Sequence, residues 1–344
     1  MEKYGAFRDK GSGIAPFFPV PSEPAGISLP VHAFLAFVRI PLLIGVSLVY
    51  FLLFSWLPIG SLGKKAALWC ILGVPGIWWV DLQVDGVKRG SLGRNSGRLP
   101  HAGSVIASSY TSPIDALYLA AIFDPLFTRS FPGTKQVQQI SLWQAMLDAL
   151  LLTPKDPPIL GSAHLVDVAT ILKENPDRCV AVFPECTTSN GRGILPFSPS
   201  ILTVPEKRKI FPVSLRYTPA DITTPVPGSY ITFLWNLCSR PTHTIRVRIA
   251  EATYNTSLSP SLSAASKEMQ PVRRPSYETN FLDELQARIK QSNGNVDRID
   301  ELSAEEVEVL DRIGEALARL GRVKRVGLGV EDKTKFVRVW SKRR

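Results

Sequence analysis

Cysteine and histidine are scarce in this chain, and their scarcity closes off several kinds of chemistry. The four cysteines, Cys70, Cys179, Cys186 and Cys238, show no zinc-ligand spacing with one another or with a histidine. They fit a reducing compartment and give no disulfide framework. No RNP-type aromatic run appears, so no nucleic-acid partner and no metal site is expected. There is no internal repeat. A secretory signal peptide is not expected either, because the segment before the first apolar run is long and proline-rich and no small-residue cleavage site follows.

What is present is apolar and basic. Hydrophobic residues make up 45% of the 344 and charged residues 20%, which is not the balance of a disordered chain. The net charge of +10 suits anionic partners, such as acidic headgroups or phosphates. Ile40 to Ile59 reads IPLLIGVSLVYFLLFSWLPI, with no charge and no polar stripe. Twenty such residues are the length that crosses a hydrocarbon core. A second run, AALWCILGVPGIWWV at 66–80, is shorter and is broken by Pro75. The pair reads as a membrane-embedded hairpin or as one span plus an interfacial segment, with Trp69, Trp78 and Trp79 at the headgroup boundary. Two buried core helices are the other reading. The expected order is an extension at 1–31, the membrane hairpin at 32–80 and an α/β domain at 81–255. A Ser/Pro-rich linker at 256–276 and C-terminal amphipathic helices with a basic tail at 277–344 follow.

Within the α/β domain, GSVIASS, RCVAVF, KIFPVSLRY and HTIRVRIAE read as strands. PIDALYLAAIF, QISLWQAMLDALLL and HLVDVATILKE have helical periodicity. Strands alternating with helices predict a mostly parallel sheet flanked by helices. Further on, Ser303 with Glu306 forms a candidate capping box. The last 26 residues hold ten Lys or Arg against Glu331 and Asp332, which is either a membrane-facing tail or a solvated end. Asn255-Thr-Ser257 is a glycosylation sequon, and a glycan on it would put the domain in a lumen.

Two stretches carry candidate chemistry. SSYTSPID at 108–115 runs from a strand into a helix; Ser112 suits the N-cap, Pro113 the first helical position and Asp115 a variant capping box. VFPECTTSNGRGILPF at 182–197 runs from a strand into an acidic residue, then hydroxyls and flexible backbone. In such sheets ligands bind beyond the carboxyl ends of the strands, although a plain Gly-rich connection would read the same way.

Taken together, the two stretches resemble the motif order of the glycerolipid acyltransferases. In that family a histidine four positions ahead of the aspartate's neighbour (HX₄D) is followed about seventy residues later by FPEGT and then a Pro-Val strand. This chain has Tyr110 to Asp115, FPEC at 183–186 and IFPV at 210–213. The opening MEKYGAFRDKGSGIAPFFP resembles the fungal lysophosphatidic acid:oleoyl-CoA acyltransferase group. The resemblance implies transfer of a long-chain acyl group, oleoyl for that group, from acyl-CoA to lysophosphatidic acid or another lysophospholipid, a 1-acylglycerol-3-phosphate O-acyltransferase-like reaction with no cofactor beyond its co-substrate. It implies a place at the endoplasmic reticulum membrane and lipid-droplet surface, with the catalytic domain cytosolic. By position, Tyr110 and Asp115 fall at the catalytic block. Ser112, Glu185, Cys186, Thr187, Thr188, Asn190 and Arg192 would then bind the acceptor.

Three departures stand out. Tyr110 occupies the place of the histidine base, Cys186 that of the usual glycine, and the family's phosphate-binding arginine block is not recognisable. Arg129, Lys135 and Arg192 are the candidate substitutes for that arginine. A phenol of ordinary pKa is about 0.1% ionised at neutral pH. Loss of a general base removes about 10²–10⁴ in rate and leaves positioning intact. The acceptor's own phosphate could take the proton instead. Of the histidines, His164 is the best displaced base, His101 being about 30 Å from Tyr110 along an extended chain. An acyltransferase-fold protein that only binds or traffics lipid is the alternative.

Overall fold

The computed structural model describes residues 2–24, 26–54, 57, 60–88, 90–154, 164–257 and 302–342. The helices are α1 (Leu29–Val49), α2 (Ser61–Gly73), α3 (Pro113–Phe123), α4 (Leu142–Leu150), α5 (Val168–Glu174), α6 (Tyr230–Ser239), α7 (Ala304–Gly321) and α8 (Val330–Ser341). The strands are β1 (Ile77–Val84), β2 (Val105–Ser108), β3 (Leu126–Ser130), β4 (Val137–Ile140), β5 (Leu165–Val166), β6 (Val180–Val182), β7 (Gly193–Ile194), β8 (Ile210–Thr218), β9 (His243–Ile249) and β10 (Lys324–Arg325). Eight strands form one sheet in the order β1-β9-β8-β2-β6-β3-β4-β5, and β7 pairs with β10. The central four, β8, β2, β6 and β3, are mutually parallel, and antiparallel pairs flank them. The α/β class with a mostly parallel sheet is therefore what forms.

Strand alternation divides the core into two layers. Ile106 and Ala181 face one side, where α2, α3 and α4 pack, while Val105, Ala107, Val180 and Val182 face α5 and α7. The central strands are short, apolar and buried on both faces, as parallel strands covered by helices must be.

Three expectations need correction. The second apolar run is not one membrane arm. Pro75 and Gly76 end α2, and Ile77 to Val80 enter the sheet as part of β1, so the domain begins before residue 81. Helix α2 turns Leu68, Ile71 and Leu72 into the core, with Trp69 edge-on to Tyr118. Gly26–Phe54 remains, among the described residues, the one helical stretch long and apolar enough to cross a membrane by length and composition. The basic end is not a free tail, because α8 packs Phe336 and Trp340 against Tyr4, Phe7, Phe17 and Phe18 of the N-terminal segment. Helix α7 opens on the Ser303–Glu306 capping box and packs on β8, so it belongs to the sheet's own layer. Most of the linker and the FLDELQARIKQ helix lie outside the described residues.

Candidate active site

β2 and β6 are neighbours in the sheet and run parallel, so the turns that follow them emerge at the same rim. This is where the two candidate stretches meet. After β2 the chain passes through Ser109, Tyr110 and Thr111 to Ser112, the N-cap of α3. The Ser112 hydroxyl accepts from the Ile114 N–H at 3.4 Å, and Asp115 returns to accept from the Ser112 N–H at 2.9 Å. This is the variant box that the sequence spells. Asp115 also accepts from the Thr111 N–H (2.6 Å), the Thr111 hydroxyl (3.1 Å) and the Tyr217 phenol. It is completely buried. Burial raises its pKa to about 6, although the Tyr217 hydrogen bond and the Thr111 and Ser112 donors pull it down.

After β6, Phe183 and Pro184 bring Glu185 to the same rim. One carboxylate oxygen accepts from the Tyr110 N–H at 3.2 Å and the other from the Leu195 N–H at 3.1 Å. Two consecutive peptide groups thus hold the two acids: the Tyr110 N–H is on Glu185 and the Thr111 N–H is on Asp115. Burial pushes Glu185 up to about 8; the Leu195 and Tyr110 N–H groups lower it, the Asp115 charge raises it, and the Lys333 amine lowers it.

The Tyr110 side chain faces away from Asp115. Its phenol donates to the Ala145 carbonyl at 3.1 Å, and its ring stacks on Phe183 with centroids 4.4 Å apart. Burial pushes this phenol well above its ordinary pKa, with Asp148 and Asp115 adding to the effect. It is a hydrogen-bond donor there and not a proton acceptor. Beside it lies a narrow recess bordered by Arg129, Asp148, Thr128, Ser130 and Cys186.

The remaining predicted residues divide by role. Cys186 has φ +57, the left-handed region that suits glycine and costs other residues about 1 kcal/mol or more, and its thiol is buried. The buried Thr187 hydroxyl has no hydrogen-bond partner among the described residues. The Thr188 hydroxyl donates to the Thr224 carbonyl at 2.7 Å. The Asn190 amide donates to the carbonyls of Ala15 (2.8 Å) and Phe18 (2.9 Å), so it holds the N-terminal segment over the loop. Ser112 donates to the Ile222 carbonyl at 2.9 Å. All of these are buried, and Arg192 alone is exposed. The two acids share one rim, as the motif reading requires, but both are sealed from solvent.

The other candidates fall away. Arg129 is engaged by both Asp148 oxygens, at 2.6 and 2.5 Å. Lys135 pairs with Glu306 at 2.8 Å. His164 is exposed just ahead of β5, the edge strand. Four strand spacings separate β5 from β2, about 19 Å. His101 is exposed at the opposite end of β2, while His243 is buried with its Nε2 at 2.9 Å from the Leu237 carbonyl. The sequon is also excluded as a glycan site in this fold. Asn255 is buried, and its amide donates to the carbonyls of Leu202 and Val204 at 2.8 Å each. Among the described residues no group of three or more His, Cys, Asp or Glu is placed to hold a metal ion.

Sequence reasoning missed Tyr217 and Lys333. Tyr217 near the end of β8 carried no signal. Lys333 did, because it interrupts the apolar spacing of Val330, Phe336 and Trp340 on α8.

Comparison with known proteins agrees with the motif order. Residues 94–216 match the family model described as Acyltransferase, and this span contains both turns. The chain is 28% identical over 257 residues to a protein of Schizosaccharomyces pombe provisionally named lysophosphatidic acid:oleoyl-CoA acyltransferase, covering 73% of this chain and 84% of that one. It is 27% identical over 199 residues to lysophosphatidic acid:oleoyl-CoA acyltransferase 1 of Saccharomyces cerevisiae, covering 58% of this chain and 61% of the relative. No solved structure matches.

Proposed function

From the premise that this chain belongs to the glycerolipid acyltransferase family, we propose that it moves a long-chain acyl group, oleoyl by analogy with its relatives' names, from acyl-CoA to lysophosphatidic acid or a related lysophospholipid. The observation that carries this reading is the pair of adjacent peptide N–H groups that tie Asp115 and Glu185 to one point of the rim. An acceptor hydroxyl brought there attacks the thioester carbonyl, the C–S bond breaks and CoA leaves as thiolate. The hydroxyl proton goes to the acceptor's own phosphate monoester and not to Tyr110, whose phenol is already donating to Ala145. Arg192, exposed in the same loop, is the cation we assign to that phosphate.

A lipid acceptor also suits the surface near the site. Arg39 of α1 donates to the carbonyls of Arg240 (2.5 Å) and Pro241 (3.1 Å), which tethers α1 to the segment between α6 and β9. Around this tether large apolar residues are exposed: Phe34 and Phe37 on α1, Ile231 (87% exposed) and Trp235 on α6, and Trp78 and Trp79 on β1. We read this face as the contact with a membrane or lipid-droplet monolayer, the domain remaining cytosolic at the endoplasmic reticulum surface. The burial of both acids and the missing histidine favour a second reading, a non-catalytic lipid binder.

One experiment decides between them. Purified protein in detergent or on droplets is given radiolabelled oleoyl-CoA and a panel of lysophospholipids. Acyl transfer that Glu185→Ala abolishes supports the enzyme, and lysophospholipid binding without transfer supports the binder. An acceptor analogue whose phosphate cannot take a proton, turned over at the same rate, overturns the proton route.

A further inference from the structure

Lys333 is, among the described residues, the one lysine or arginine that is buried outright, with no exposed surface at all. Its neighbours along α8, Val330 and Phe336, are apolar and buried, so an apolar side chain would be the natural filler of that position. A buried ammonium is costly unless it is paired and hydrogen-bonded. Here it is both. Its Nζ donates to the Thr188 carbonyl at 2.7 Å and to the Thr188 hydroxyl at 2.8 Å. Thr188 lies three residues beyond Glu185, in the loop that follows the acidic motif. Glu185 is the charge that favours the protonated amine, and the amine in turn favours the ionised carboxylate.

We propose that Lys333 is a positioning residue of the acyl-transfer site: its amine fixes the Thr188 carbonyl and hydroxyl and, through them, the loop that carries Glu185. The C-terminal helix is then a working part of the site. The inference rests on the acyltransferase reading of Glu185. Its consequences travel through a short chain of contacts. Without the amine, the Thr188 carbonyl and hydroxyl lose their donor in a buried site. The loop that carries Glu185 is then loosened, and Glu185 is the acceptor of the Tyr110 N–H, next to the Thr111 peptide that holds Asp115.

The test separates this role from simple packing. Lys333→Met fills the same volume without charge, and Lys333→Arg keeps the charge. Lys333→Met should lower kcat/KM for the lysophospholipid by about tenfold or more while the KM for oleoyl-CoA stays unchanged. Lys333→Arg should recover part of that loss. Wild-type constants for both substrates in Lys333→Met would overturn the proposal. A thermal-unfolding cycle of Lys333→Met, Thr188→Val and the double variant reads the contact without any turnover. The double variant should melt above the temperature expected from adding the single effects, and additive melts would overturn the contact. If the wild-type chain transfers no acyl group, the acyltransferase reading fails and the cycle alone decides whether Lys333 holds Thr188.

Discussion

Asp115 and Glu185 follow adjacent strands, are equally buried and are held by neighbouring peptides, yet their surroundings are assembled from different parts of the chain. Four of the contacts on Asp115 and its cap come from Thr111, Ser112 and Ile114, and two long-range partners, the Tyr217 phenol on Asp115 and the Ile222 carbonyl on Ser112, complete the set. The Glu185 loop depends on distant residues: Leu195, Thr224, the carbonyls of Ala15 and Phe18, and Lys333 from the last helix. The Asp115 turn can therefore form as soon as α3 does. The Glu185 loop is complete only when both ends of the chain have closed on it, so it is the part that conditions or truncations can loosen.

The sharpest way to break this contrast is at Asp115. Asp115→Ala leaves two peptide N–H groups, the Thr111 hydroxyl and the Tyr217 phenol without their acceptor in a buried site. Each orphaned buried donor costs about 1–3 kcal/mol, so a loss of about 3 kcal/mol or more is expected, together with loss of acyl transfer. Urea unfolding measures it. A variant that unfolds at the wild-type midpoint would mean that Asp115 is not the organiser of its turn.

A smaller effect tests the other acid through pH. Folding raises the Glu185 pKa to about 8 from its ordinary 4.5. Over that interval the folded chain keeps a proton that the unfolded chain has released. The associated stabilisation is complete below pH 4.5 and is lost as pH rises through 8. Glutamine at this position does not titrate. Relative to Glu185→Gln, wild-type protein should therefore lose stability steadily from about pH 4.5 to 7, the pH at which Lys333, held down to about 7, is itself half titrated. Parallel melting curves over that window would show that the carboxylate is already ionised, with its charge met in full.

These two environments also explain what the residue order reveals. The Ser112 cap, Pro113 and Asp115 are local grammar, and α3 begins at Pro113 as the spacing requires. Strands β2, β6 and β8 announce themselves by apolar runs, because strands covered on both faces have few polar positions to blur the pattern, and β9 by strict alternation of apolar with Thr and Arg. The WWV segment misleads for the same reason: an apolar strand at a sheet edge and a membrane arm have the same composition, and only pairing with β9 separates them. Helix α6 and strands β3 and β4 are short and went unread. The hold of Lys333 on Thr188 spans 145 positions, and no local pattern encodes contacts of that length. Its single trace is a charged residue inside an apolar stripe.

The smallest expected effect bears on the residue that makes this site unusual. Tyr110→Phe keeps the peptide N–H that grips Glu185 and keeps the ring that stacks on Phe183. It removes one hydrogen bond, to the Ala145 carbonyl, so stability should fall by about 1 kcal/mol. If the phenol takes no part in proton transfer, the rate of acyl transfer should stay within about twofold of wild type. If Tyr110 had replaced the missing histidine as base, the same change would cost about 10²–10⁴ in kcat. The two outcomes differ by far more than assay error. Tyr110→His adds a sharper version: with Asp115 already engaged by Tyr217, a new imidazole lacks the carboxylate that would orient it, so no gain in rate is expected unless Tyr217→Phe accompanies it.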